Sequence, residues 1–369
     1  MKEDGRMRRS PAALSQTLGS LARSQVVGPF FVLVLVFVVA WVTTNRFFVG
    51  QNLRNLGLEM AIVAIIAIGS TFVILTAQID LSPGAVVALT SMTTAVLLKN
   101  EHVALVYTII LMLLLGAGAG LVNGFFSSYG RIPSFIFTLA TLSIFQGLAF
   151  YETGGTPLFD LSPTLEHLFY GHLVGVPYPF VYVVVLYALA WAYLRYTRGG
   201  REIYAVGGNE SAARLAGIKV NRVRTRVFVV AGMLAALGGL LMSAQLNSGS
   251  PEYGRGMELQ AIAAAVIGGT SLFGGIGNVV STLFGAMIIT IVQNVLNLHA
   301  VGTAWQNITT GLIIAAAVGI DMWRSAAARL VVSRWQSLAR LRAPERVAIE
   351  EQLPTGNVAA PEKNVGTGS

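Results

Sequence analysis

Few residues in this sequence could do chemistry, and the most telling sit inside long apolar runs. Asp80 stands beside Gln78 in TFVILTAQIDLSPGA, residues 71–85. An acid near the centre of a bilayer costs about 2.5–3.5 kcal/mol on insertion scales, so something must offset it. One reading is structural: Ser82 caps a new helix with Pro83 at its first position, and Asp80 lies near that helix's positive end. The other is functional: Phe72, Thr76, Gln78, Asp80 and Ser82 line a break in the membrane, where Thr76, Gln78 and Asp80 present hydrogen-bonding groups to a polar solute. The two are compatible.

A second break, GGTSLFGGIGN at 268–278, ends one apolar run and precedes another. Its approach, AVIGGT at 265–270, echoes AIGST at 67–71, as expected if the halves are related repeats with breaks in corresponding positions. Thr270, Ser271 and Asn278 here, with Asn123 on another run, complete the candidate pathway. Gly116, Gly120 and Gly124 recur every fourth residue, the spacing that lets a second helix approach closely, and packing is their default reading.

The third feature is GGNESAARLAGIKVNRVR, residues 207–224. Asn209 can cap a short helix and Gly217 can end it in the left-handed conformation. Gly208, Asn209, Glu210, Ala212, Ala213, Leu215, Ala216 and Gly217 make up this unit. Its bland reading is a connecting helix; its functional one is docking into a partner's groove.

Other chemistries are excluded. The chain has no cysteine, hence no disulfide, thiolate nucleophile or cysteine-held metal. None of its lysines (Lys2, Lys99, Lys219, Lys363) follows a glycine, so there is no Walker A loop. His102, His167, His172 and His299 fall in or beside predicted outer loops without metal-pair spacing.

The elements that must position these residues are membrane helices. Of 369 residues, 54% are hydrophobic and only 11% charged, less than half the share of a soluble domain. Ten apolar runs are expected to cross, at 27–44, 57–76, 83–98, 103–126, 134–150, 178–196, 225–246, 258–269, 278–298 and 303–322. The fold class is an all-α polytopic transmembrane bundle. The runs at 83–98 and 258–269 are short, and broken helices are tolerated only where free backbone groups face protein or water. The first run has a long polar leader and no cleavage site, which predicts a retained anchor rather than a signal peptide.

Basic residues set the orientation. Loops at 1–26, near Arg131 and at 197–224 with the flanking Arg195 and Arg226, and the tail from 321, together carry +12, the remaining loops −2, and Glu59 and Asp80 lie within runs; the whole is +8. The positive-inside rule then places both termini in the cytoplasm. This distribution describes orientation, and gives no reason to invoke nucleic acid. Residues 323–342 read as a basic helix on the inner headgroups, and 343–369 as a disordered tail.

Together, these segments resemble the permease subunits of bacterial ABC importers for sugars, the ribose-permease type, which share a superfamily with branched-chain amino acid permeases. The resemblance runs from about residue 57 to 322. It is carried by TFVILTAQIDLSPG, GRIPSFIFTLATL, GGNESAARLAGIKV, ELQAIAAAVIGGTSLFGGIGNV and GLIIAAAV. It implies a multi-pass protein of the bacterial inner membrane that pairs with a second permease and performs no reaction itself. Two cytoplasmic ATPases, which hold ATP and magnesium, supply the energy, and a periplasmic binding protein delivers a monosaccharide. Residues 208–217 then correspond to the coupling helix. Departures fall at Ala77 and Gln78, where the family more often has Gly-Gly, and at Pro83, Gln260 and Ile276. The alternatives are a permease for branched-chain amino acids, an ion-coupled transporter using Glu59 and Asp80, and a membrane enzyme, for which the required cluster of His or acids is absent.

Overall fold

A computed structural model describes residues 26–342, with side chains to 323. The expectations for residues 1–25, for the tail at 343–369 and for the basic side chains of 324–342 lie outside the described residues. Through Asp321 the chain forms one compact unit; a second unit begins at Met322.

Every one of the ten apolar runs forms a helix. Seven are long and apolar enough to cross a membrane: α2 (Gly50–Leu75), α4 (Leu105–Ser128), α5 (Ser134–Tyr151), α7 (Tyr178–Tyr196), α10 (Val220–Leu246), α12 (Val279–Leu298) and the Thr303–Trp323 part of α13 (Thr303–Arg342). Three apolar helices are shorter: α1 (Val27–Thr43), α3 (Pro83–Lys99) and α11 (Met257–Ile267). Two further helices, α6 (Pro163–Tyr170) and α8 (Arg198–Gly208), arise where only loops were expected, and α9 (Glu210–Leu215) is the anticipated short helix. The only strands among the described residues are two-residue pieces: β1 (Leu158–Phe159) pairs with β4 (Ser248–Gly249), and β2 (His172–Leu173) with β3 (Val176–Pro177).

The core is centred on α2, which is buried from Leu56 to Leu75 apart from Glu59. In an apolar solvent, association depends on close packing and polar ties rather than on exclusion of water. Both are present. Thr71 and Thr282 join α2 to α12 at 2.9 Å, the Tyr187 hydroxyl donates to the Ala64 carbonyl, and Asn52 and Asn294 exchange amide hydrogen bonds. Between α4 and α10, Gly116 and Gly120 lie against the carbonyls of Gly232 and Phe228 with no room for a Cβ. The glycine stripe therefore packs helices, as its spacing predicts.

The shortness of α11 has a geometric cause. From Gly249, which touches Ala95 and Ser91, the chain descends beside α3 to Glu258, which touches Gly84. That covers about three turns of α3, or about 16 Å, and the 11 residues of α11 add about the same again. The sum is close to the roughly 30 Å of a hydrocarbon core. Part of this length is thus irregular backbone packed against protein, the condition under which such backbone is tolerated at membrane depth.

Candidate translocation site

Between α2 and α3 the helix is broken at residues 76–82, and hydroxyls of α5 supply what the broken helix lacks. The Ile79 amide donates to Ser134 Oγ and the Leu81 amide to Thr138 Oγ1, each at 3.0 Å. Ser134 and Thr138 are one helical turn apart, so a single face of α5 serves both. The expected cap is reversed. Ser82 makes no side-chain cap for α3; its amide and hydroxyl both donate to Asp80 Oδ1, at 2.9 and 2.7 Å. Asn123 continues the network, donating to Ser82 Oγ and accepting from Thr141, both at 2.7 Å. Asp80, Ser82, Asn123 and Thr141 thus form one buried hydrogen-bonded chain across three elements. A buried carboxylate with this many polar neighbours is far cheaper to hold than an isolated one.

Other predicted members fall elsewhere. Phe72 stacks on Tyr193 with 6.0 Å between ring centroids and faces α7, α8 and α10, away from Asp80. The Thr76 hydroxyl donates to the Val73 carbonyl and closes α2. Gln78 is half-buried and donates to the adjacent Ala77 carbonyl. Ala77 has φ of 57°, a left-handed conformation that favours glycine.

The second break meets the first. The Gly275 amide donates to the Leu75 carbonyl at 3.0 Å, and Gly274 abuts Ala77. Thr270 is buried against Gly277 with no partner for its hydroxyl. Ser271 donates to Asp321 Oδ2 at 3.2 Å, and Asn278 caps α12 by accepting from the Val280 amide. These three residues brace the break and none joins the Asp80 network.

Beside Gly275 lies the end of α8, followed by α9. Asn209 accepts from the Ala212 amide, and Gly217, at φ of 80°, ends α9 in a Schellman arrangement, with Ile218 N donating to Ala213 O and Gly217 N to Arg214 O. Glu210 is paired with Arg214 and Arg224, each at 2.7 Å, which ties α9 to α10. The hydrogen bond from Arg214 is the chief cause holding the Glu210 carboxyl below its ordinary 4.5; partial burial opposes it and Arg224 adds to it. Ala213 is only 4% exposed and belongs to the core, so it cannot be part of an outward surface. Leu215, by contrast, is 90% exposed; Gly208, Asn209, Ala212, Ala216 and Gly217 are exposed with it.

One group escaped the sequence reading. Glu252, Arg255 and Glu258 look like charges of a loop, yet the descending segment carries them to a cavity of about 450 Å³ shared with Gly84, Ala85, Leu142, Gln146 and Phe150. The available signal was PEYGRGMEL itself, where two glycines and three charges interrupt an apolar stretch.

A family model described as the branched-chain amino acid transport system permease component matches residues 52–318. The chain is 40% identical to the ribose import permease protein of Bacillus subtilis over 82% of its own length and 94% of that protein. It is 42% identical to the ribose import permease protein of Escherichia coli over 78% and 91%, and 34% identical to the D-allose transport system permease protein of the same species over 80% and 90%. No solved structure gives a significant match. Permeases of this kind work with an ATPase and a periplasmic binding protein. The chain belongs to this family of permease components, and it is the multi-pass, non-enzymatic inner-membrane subunit of a sugar ABC importer.

Proposed function

We propose that the chain carries a pentose or related monosaccharide past the Asp80 break, and that α9 receives the ATPase. The observation that carries the pathway is the break itself. Its backbone donors are met by Ser134 and Thr138 without a regular helix, and such backbone inside a bilayer belongs where it borders protein or a water-filled cavity. In this reading all ten apolar helices cross, both termini are cytoplasmic, a second copy completes the pathway, and ATP and magnesium stay on the partner ATPase. A pentose is favoured because the ribose permeases are about 40% identical over most of their length. Of the candidate pathway residues, Asp80, Ser82 and Asn123 form its polar wall; Phe72, Thr76, Thr270, Ser271 and Asn278 hold the surrounding helices; Gln78 lies at the edge.

The test is ATP-dependent uptake by membrane vesicles holding the full complex, with ribose, xylose and leucine as probes. Pentose uptake without leucine uptake is expected. Leucine uptake without pentose uptake would overturn this and favour the amino-acid reading, to which the family description points. The ATPase contact is tested by Leu215→Glu, which places a charge where an apolar side chain would enter a partner's groove. Uptake and sugar-stimulated ATP hydrolysis should fall at least tenfold, by about 1.4 kcal/mol or more of lost coupling. Unchanged values would remove α9 from the interface.

A further inference from the structure

The cavity beside Gly84 has a lining that mixes charged, amide and aromatic side chains. We propose that it is a binding subsite for a neutral polyhydroxylated solute, occupied before the Asp80 break; this rests on the sugar-permease reading above. Its volume, about 450 Å³, lies in the range of small-molecule sites. Glu252 and Glu258 accept hydrogen bonds; Gln146, whose Nε2 already donates to the Pro251 carbonyl, keeps a second N–H and its Oε1; Arg255 keeps donors beyond the one given to Glu252; and Phe150 offers an apolar face. A ring bearing several hydroxyls meets both kinds of group at once, with its C–H face toward Phe150.

Charge narrows the class. Arg255 Nη1 lies 3.2 Å from Glu252 Oε2, so those two largely cancel and Glu258 is left as the net charge. A solute with net negative charge would meet that like charge, whereas a neutral sugar would not. A bound metal ion is disfavoured because no group of three His, Cys, Asp or Glu among the described residues could hold one.

Position gives the subsite its place in the path. Gly84 leaves no room for a Cβ against Glu258 and the Gly254 carbonyl, which locks the start of α3 to the descending segment and fixes where Glu258 stands. Along α5, Thr141 of the buried network is followed by Leu142 and Gln146 of the cavity; along α3, Ser82 is followed by Gly84 and Ala85. The cavity and the Asp80 network thus draw on neighbouring positions of the same two helices, α3 and α5. The Arg255 and Glu252 side chains are 82% and 55% exposed, and so mobile a pair binds weakly. Weak binding suits a site that must release its occupant.

The experiment uses the full complex in vesicles, with uptake of ribose, 2-deoxyribose and xylose measured per ATP hydrolysed. Glu258→Gln and Gln146→Leu should each lower ribose uptake per ATP about tenfold, the scale of one lost polar contact. They should also change the ratio of ribose to 2-deoxyribose uptake, and Glu258→Asp should restore much of both. Loss by one common factor for all three sugars would show a structural role and overturn the subsite, as would unchanged uptake. Absence of pentose uptake by the unaltered complex would instead overturn the sugar reading, and the subsite with it.

Discussion

At the scale of single residues, Glu210 pairs both within its own helix, with Arg214, and across to α10, with Arg224. Its carboxyl is held below its ordinary value chiefly by the hydrogen bond from Arg214, so this pairing contributes stability above the unfolded value of 4.5 and loses it as pH falls through the lower folded value. The stability difference between the unaltered protein and Glu210→Gln is therefore expected to be full at neutral pH and to vanish in strong acid, as read by thermal unfolding in detergent. A difference that grew on acidification would contradict the pairing. Asn209, Gly217 and Pro83 had their places written in their types, because caps and left-handed turns depend on one residue's own chemistry. Ser82 and Phe72 did not. Ser82 is drawn to Asp80 by a hydrogen bond that competes with capping, and Phe72 turns toward Tyr193, a partner that only the assembled helices bring near.

At the scale of elements, apolar length was the readable quantity, and each of the ten runs became a helix because a helix satisfies its own backbone in lipid. What hydropathy could not convey was irregular backbone that packs on protein. The segment 249–258 reads as a loop because it is polar, yet α3 takes it to the depth of Gly84, and the charges of the cavity go with it. The amphipathic α8 was hidden for another reason: Ile203 and Val206 sit among Gly and charge, and only Thr197, whose hydroxyl accepts from the Gly200 amide, marks its start. The seam between α4 and α10 offers a matched pair of substitutions. Gly120→Ala would drive its Cβ into the Phe228 carbonyl and should destabilise by about 1–3 kcal/mol. Gly118→Ala meets nothing within 4 Å and should stabilise by about 0.5–1 kcal/mol. Equal unfolding midpoints for the two variants would mean that the seam is not as close as described.

At the scale of the whole molecule, orientation is the quantity to test, and the cysteine-free sequence gives a clean background for it. Val174, 96% exposed between β2 and β3, and Leu215, 90% exposed on α9, sit on opposite sides of the proposed topology. A membrane-impermeant thiol reagent should label Val174→Cys from the periplasmic side and Leu215→Cys only in inverted vesicles. Labelling of both from one side would refute the arrangement. The halved α11 also constrains how the chain is made. An 11-residue helix is too short to be retained by the insertion machinery when it emerges alone, since a stable span needs about 20 apolar residues. In the proposed ten-span topology it enters with α12, against which it packs, as a hairpin. The expected outcome is a late, concerted insertion step, read as residues 257–267 staying accessible in chains cut after Gly268 and becoming protected in chains cut after Leu298.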